Sequence, residues 1–221
     1  MSGRSPLLTT SLLVSLTLST SSTNNSHPTP YFSSIYHLST VTCTIQYHLP
    51  TPTAPYHSLA KNPFPQFQSA SLTFTTTYTH QFDQAGLLLL LTKPSSSAPR
   101  KWIKTGVELF DNQSRLSTVC CDNWADWSVA NASSAEDIKA GRKAVTILVE
   151  RLDAHDGSCL WVYRVDGETK VPMREICWPY GEDGGKGWEL EIGALVARPT
   201  KDTEDELEVK FQDFQVKWDA A

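Results

Sequence analysis

Trp102, Lys104 and Glu108 bring an indole, an ammonium and a carboxylate into one short segment. An indole can stack on the apolar side of a pyranose while charged groups fix its hydroxyls, so three such side chains on one surface suit a carbohydrate or another polyol. Asp126 supplies a further carboxylate. Glycoside hydrolysis needs two carboxylates flanking the scissile bond, which makes Glu108 with Asp126 the pair to examine for catalysis. Arg151 and Arg174 carry planar forks suited to bidentate contacts with a carboxylate or with sugar hydroxyls, although Glu150 and Glu175 stand beside them as alternative partners. No Ser-His-Asp order, phosphate-binding loop or zinc-ligand spacing accompanies these groups, and the histidines lie mostly in the polar front of the chain. The expected site is therefore a ligand-binding one made of Trp102, Lys104, Glu108, Asp126, Arg151 and Arg174, with no catalytic residue, cofactor or metal.

These side chains need a rigid support, and the sequence supplies strands. Along Trp102 to Phe110 the alternation of a half-buried strand puts Ile103, Val107 and Leu109 on a core face and Trp102, Lys104 and Glu108 on the other. Asp111-Asn112-Gln113 is turn chemistry, after which Leu116 to Cys121 can return as the second arm of a hairpin. In the next short strand, Asp126 and Ser128 share one face and Trp127 and Val129 the other. Trp127 is expected in the core, and Asp126 beside Glu108 if their strands are neighbours.

Further strand patterns occur at Val41 to Tyr47, Leu72 to Tyr78, Ala144 to Leu152, Cys159 to Val165, Val171 to Cys177, Trp188 to Ala197 and Glu206 to Trp218. Leu87 to Leu91 is apolar on both faces, as a central strand can be. Trp161 and Tyr163 share a face and are assigned to the core. In the last strand Leu207, Val209 and Phe211 keep a period of two, but Phe214, Val216 and Trp218 are out of phase with them; a bulge near Asp213 restores the pattern. Ser134 to Gly141, with a serine cap, early acids and a closing glycine, is the one helical segment.

Composition divides the chain. All 24 Asp and Glu residues lie from Asp83 onward, while Arg4 and Lys61 are the fixed charges of the first 82 residues. Residues 1–62, rich in Ser, Thr and Pro, are expected to form a poorly ordered extension, and residues 63–221 the folded domain. The front could also be a signal peptide over residues 1–21, or the product of a misread gene start. A net charge of -5 gives no field for a nucleic-acid backbone, and no apolar stretch approaches membrane-spanning length. The five cysteines, Cys43, Cys120, Cys121, Cys159 and Cys177, show no paired spacing. They are read as small buried hydrophobes in a reducing compartment, which places the protein in the cytoplasm, or outside the cell if the signal peptide is real.

The hairpin, the Asp-Trp-Ser segment and the final strand together resemble family 1349 of the domains of unknown function, within the concanavalin-A-like lectin and glucanase superfamily. The matching residues are Asp83-Gln84-Ala85-Gly86-Leu87, Trp102-Ile103-Lys104-Thr105-Gly106-Val107-Glu108, Leu116-Ser117, Asp126-Trp127-Ser128, Arg151, Met173-Arg174-Glu175 and Ala197-Arg198-Pro199. The front departs from the family: the usual aromatic Asp-Phe-Trp opening is missing, and Phe64-Pro65-Gln66-Phe67-Gln68 stands nearest to it. The resemblance implies an all-β, antiparallel concanavalin-A-like jelly-roll sandwich whose concave face holds sugars in related proteins. Glu189-Leu190-Glu191 lacks the third acid of the Glu-x-Asp-x-Glu strand motif of many glucanases in the superfamily. The expected function is a non-catalytic, lectin-like domain for a carbohydrate or polyol. An intracellular regulatory domain that binds another protein is the alternative, and a glycan-active hydrolase ranks third.

Overall fold

The structure, a computed structural model, describes residues 56–155, 157–200 and 205–220, together with the backbone of Leu18–Ser19, Tyr31–Leu38 and Val41–Cys43. In chain order the strands are β1 (Leu18–Ser19), β2 (Tyr31–Leu38), β3 (Val41–Cys43), β4 (Tyr56–Pro63), β5 (Phe67–Thr75), β6 (Gln84–Thr92), β7 (Lys101–Phe110), β8 (Gln113–Cys121) and β9 (Ala125–Asn131). After the helix α1 (Ala135–Lys139) come β10 (Val145–Ala154), β11 (Gly157–Asp166), β12 (Thr169–Ile176), β13 (Glu189–Ala197) and β14 (Leu207–Asp219). Two antiparallel sheets result. One runs β1-β2-β14-β5-β10-β11-β12, with β3 also paired to β14; the other, six-stranded, runs β4-β13-β6-β7-β8-β9. This is the expected concanavalin-A-like jelly-roll sandwich, in which each sheet buries one face against the other.

Alternation decides what enters the core. Ile103, Val107 and Leu109 of β7 meet Leu72, Phe74, Ile147, Val149, Leu160 and Val162 of the opposite sheet in one buried cluster. In β6, Leu87, Leu89 and Leu91 join that cluster, while Leu88 and Leu90 are buried on the other side of the same sheet. A strand with neighbours on both edges and cover on both faces can be apolar throughout. The β14 bulge lies where the pattern slips: pairing with β5 jumps between Gln212 and Gln215, and Asp213 has φ 54°. The extra residue lets Phe211 and Phe214 both reach the core.

The β7–β8 hairpin turns through Asp111 and Asn112, both at positive φ, as a two-residue turn matched to strand twist requires. Ser134 occupies the cap position of α1 in a left-handed conformation, but its side chain makes no capping bond. Residues 56–62, assigned to the extension from composition, pair with β13 as part of β4. The readings of residues 1–55 as a tail, a signal peptide or a misread start lie outside the described residues, apart from the backbone of β1 to β3. Among the described residues no helix is long and apolar enough to cross a membrane.

Trp161 and Tyr163 are not core residues. Their neighbours Leu160 and Val162 are buried in the cluster, so alternation turns the two rings outward, where they stack with centroids 5.9 Å apart.

Candidate functional site

Cross-strand register defines the outer face of the six-stranded sheet, the side away from the core. Opposite Glu108 stand Gln84 on β6 and Arg115 on β8; opposite Gly106 stand Gly86 and Ser117; opposite Lys104 stand Leu88 and Val119. Trp127, Val129 and Asn131 of β9 continue these rows, because they oppose Val119, Ser117 and Arg115. Trp102, Lys104 and Glu108 do therefore share a surface, as alternation predicts.

The centre of this surface is a glycine pair. A Cβ on Gly106 would fall 2.0 Å from the Ala85 carbonyl oxygen, and one on Gly86 would fall 2.1 Å from that of Thr105. Only glycine permits this approach of two backbones, and the pair leaves the space between Lys104 and Glu108 free of β7 side chains. Their Cα atoms are about 13 Å apart at strand rise, yet Lys104 Nζ lies 3.4 Å from Glu108 Oε2. Both side chains lean along the strand over Gly106, and the ammonium also donates to Gln84 Oε1.

From Glu108 the polar chain continues across the sheet. Ser117 Oγ donates to Glu108 Oε2 at 2.8 Å and accepts from Trp127 Nε1 at 3.1 Å. Glu108 is 5% exposed although it faces away from the core. Burial pulls the Lys104 pKa down, while the Glu108 carboxylate pushes it back up. Beside the chain lies an aromatic group, with Phe110 meeting Trp127 edge-on at 5.0 Å and Phe82 at a tilt at 6.0 Å. Phe82 and Trp127 are 39% and 44% exposed, so a bound molecule can touch them.

The other three expected site residues do not converge here. Asp126 opposes Cys120, a core-facing residue, so it projects from the reverse side of the sheet from Glu108, and β8 separates their strands. That arrangement rules out Glu108 and Asp126 as two carboxylates flanking one bond. Arg174, on β12 of the other sheet, pairs with Asp126 and donates to Ser128 Oγ at 3.0 Å, bridging the two sheets at their β9 and β12 edges. Arg151 follows the inward parity of Ile147 and Val149. It donates to Asp153 at 2.7 Å and to the Pro65 carbonyl at 2.8 Å, and its guanidinium lies 4.8 Å from the Tyr180 ring centroid. Both arginines thus tie elements together.

Trp127 corrects the expected core assignment. It faces outward because Asp126 and Ser128 take the inward positions, where Arg174 satisfies them. Gln84, Phe82, Phe110 and Ser117 are not among the site residues expected from the sequence. The two-residue turn sets the β7–β8 register and so contained the signal for Ser117 opposite Gly106; the long Lys93 to Arg100 loop fixes no register for Gln84.

A separate cleft of about 490 Å³ lies beside Arg198, lined by Thr75, Thr76, Thr79, Glu206 and Lys210 among others. None of the six expected site residues lines it. Among the described residues no group of three or more His, Cys, Asp or Glu side chains is placed to hold a metal ion.

Comparison with known proteins agrees with this architecture. The family model described as Protein of unknown function (DUF1349) matches residues 46–218. Uncharacterized protein AN7484 of Emericella nidulans is 34% identical over 138 residues, which is 62% of this chain and 62% of that protein. The chain therefore aligns with less than two thirds of that relative's length. A crystal structure of a functionally unknown protein from Saccharomyces cerevisiae superposes with a TM-score of 0.57 at 17% identity, covering 83% of this chain and 89% of the other. It shares the fold. A GlcNAcα1-4Gal releasing endo-β-galactosidase from Clostridium perfringens gives a TM-score of 0.49 at 10% identity, over 85% of this chain and 47% of that one.

Proposed function

Since the chain belongs to the DUF1349 family and folds as a jelly-roll sandwich, we propose that it is a non-catalytic binding domain whose ligand, a carbohydrate or polyol, lies on the outer face of the six-stranded sheet. The observation that carries this reading is the chain Gln84, Lys104, Glu108, Ser117 and Trp127 beside exposed aromatic rings. A buried ion pair away from the core costs desolvation and does little for stability that apolar residues could not do. Held rigid by cross-strand bonds, the same groups form a preorganised set of donors and acceptors for hydroxyls. Trp127 and Phe82 supply flat apolar surface next to them.

The loss of the Glu108 and Asp126 pairing supports binding over hydrolysis. A sugar-dependent thermal shift across a broad panel of neutral and acidic oligosaccharides tests the reading. Stabilisation that disappears in Trp127→Ala supports it, and no response across the panel in the folded protein contradicts it.

One observation favours the protein-binding alternative. Among the described residues, strand β9 ends its sheet with every residue exposed, and Trp124 just before it is 89% exposed. An open strand edge with an adjacent aromatic anchor suits an extended peptide. Co-purification lost in Trp124→Ala but retained in Trp127→Ala favours that mode.

A further inference from the structure

The β11–β12 hairpin brings Cys177 near enough to Cys159 to act on it electrostatically. Leu160 pairs with Ile176 as the last pair of the antiparallel ladder; Cys159 precedes Leu160 on β11, and Cys177 follows Ile176 just past the end of β12. Leu160 and Ile176 are both buried in the core, so alternation turns Cys159 to the outer face, and one further extended step past β12 would carry Cys177 to the same side. There Cys159 is half-buried and Cys177 exposed, both as free thiols; they are not the buried hydrophobes expected from composition. Directly opposed antiparallel residues have Cα atoms about 4.5 to 5.5 Å apart. That falls within the roughly 4.4 to 6.8 Å range compatible with a disulfide.

We propose that Cys159 and Cys177 are a peroxide-sensitive thiol pair that closes into a disulfide across β11 and β12. The exposed Cys177 reacts first. Its thiolate attacks a hydroperoxide oxygen, forming an S–O bond as the O–O bond breaks, and the Cys177 sulfenic acid remains with one equivalent of water or alcohol released. The Cys159 sulfur then attacks the sulfenic sulfur; the S–S bond forms, the S–O bond breaks, and hydroxide leaves with the Cys159 proton as water. In sum, two thiols and one hydroperoxide give one disulfide, one water and one further water or alcohol.

The neighbours fit this order of events. Burial, then the Glu175 carboxylate, then Cys177 push the Cys159 thiol up to about 11, so it is the poorer first nucleophile and the natural second one. Cys120 and Cys121 offer no comparable pair, because adjacent strand residues point to opposite faces. The bond would pin the end of β12 three residues from Arg174, the bridge to Asp126.

The test treats reduced full-length protein with limiting hydrogen peroxide, blocks remaining thiols with N-ethylmaleimide, and maps peptides by mass spectrometry. The expected result is loss of two alkylatable thiols in a monomer, a linked peptide joining Cys159 to Cys177, and full recovery with dithiothreitol. Cys159→Ser should instead leave a Cys177 sulfenic acid that dimedone traps, and Cys177→Ser should abolish the link. Retention of both thiols, a link only between molecules, or direct passage of Cys177 to sulfinic acid in the wild type would overturn the proposal.

Discussion

Arg198 holds Asp83 by both carboxylate oxygens, with Nε donating to Oδ1 at 2.7 Å and Nη2 to Oδ2 at 2.8 Å, and the acid is fully buried. The other guanidinium hydrogens go to the carbonyls of Asp205 and Glu206 and to Thr79 Oγ1. Asp83 also accepts the backbone N–H groups of Thr79 and His80. All five arginine donors are engaged, so the pair joins the approach to β6 with the segment after β13. Arg198→Lys cannot reproduce the fork. It should cost roughly 3 kcal/mol or more by leaving a buried carboxylate poorly paired, read as a lower urea midpoint. An unchanged midpoint would show that the clamp does not support the fold.

Lys104 and Glu108 should show strong coupling. Lys104→Met alone leaves Glu108 buried without its cation and is expected to destabilise by about 2 to 4 kcal/mol. Adding Glu108→Leu should restore most of that loss, since an apolar pair of similar volume needs no solvation. Equilibrium denaturation of both single variants and the double variant checks this. Additive losses would mean that the two side chains do not act as a unit.

Gly106→Ala should be among the most damaging small substitutions in the chain. Its Cβ would lie 2.0 Å from a backbone oxygen of β6, so β6 and β7 must separate. A loss of at least about 3 kcal/mol is expected, in the range of strain and broken pairing. Faster amide exchange in β6 and β7 would localise the damage, and protection equal to wild type would contradict it.

Alkali should unfold the protein through its buried phenols. Burial raises the pKa values of Tyr78 and Tyr180, so the folded chain keeps both protons where the unfolded chain releases them, above about pH 10. Their contribution is complete below that pH. It falls above it by about 1.4 kcal/mol per pH unit for each phenol. Lys104 has the opposite sign: its lowered pKa makes the unfolded chain the better proton binder, so its contribution rises with pH until about 10.4, where the unfolded lysine titrates. The Tyr78 hydroxyl has no hydrogen-bond partner among the described residues. Tyr78→Phe should therefore stabilise by about 1 kcal/mol at neutral pH and make the alkaline loss shallower. Urea melts from pH 7 to 11 measure both effects.

Local pattern carried much of this account. Alternation located the core and outer faces of β7, the polar turn located its hairpin, and the phase slip before Phe214 located the Asp213 bulge. Those features depend on neighbours in sequence. Convergence does not: Asp126 has the parity that alternation gives it, but only the sheet order shows that this parity faces Arg174 and not Glu108. Trp127 departs from the expected core position of a strand tryptophan, because Asp126 and Ser128 take the inward positions. Composition likewise placed Tyr56 to Asn62 in the extension, since the absence of acids says nothing about pairing with β13.

The most direct test of the proposed binding face is the indole N–H resonance of Trp127, assigned by its absence in Trp127→Phe. That proton is held by Ser117 Oγ next to Glu108, so a polyol seated on the face must alter its surroundings. Titration of the folded protein with oligosaccharides should shift this resonance in a saturable way, with smaller changes in Glu108→Gln. A resonance that stays fixed while a sugar binds elsewhere, or throughout a broad panel, would contradict the account.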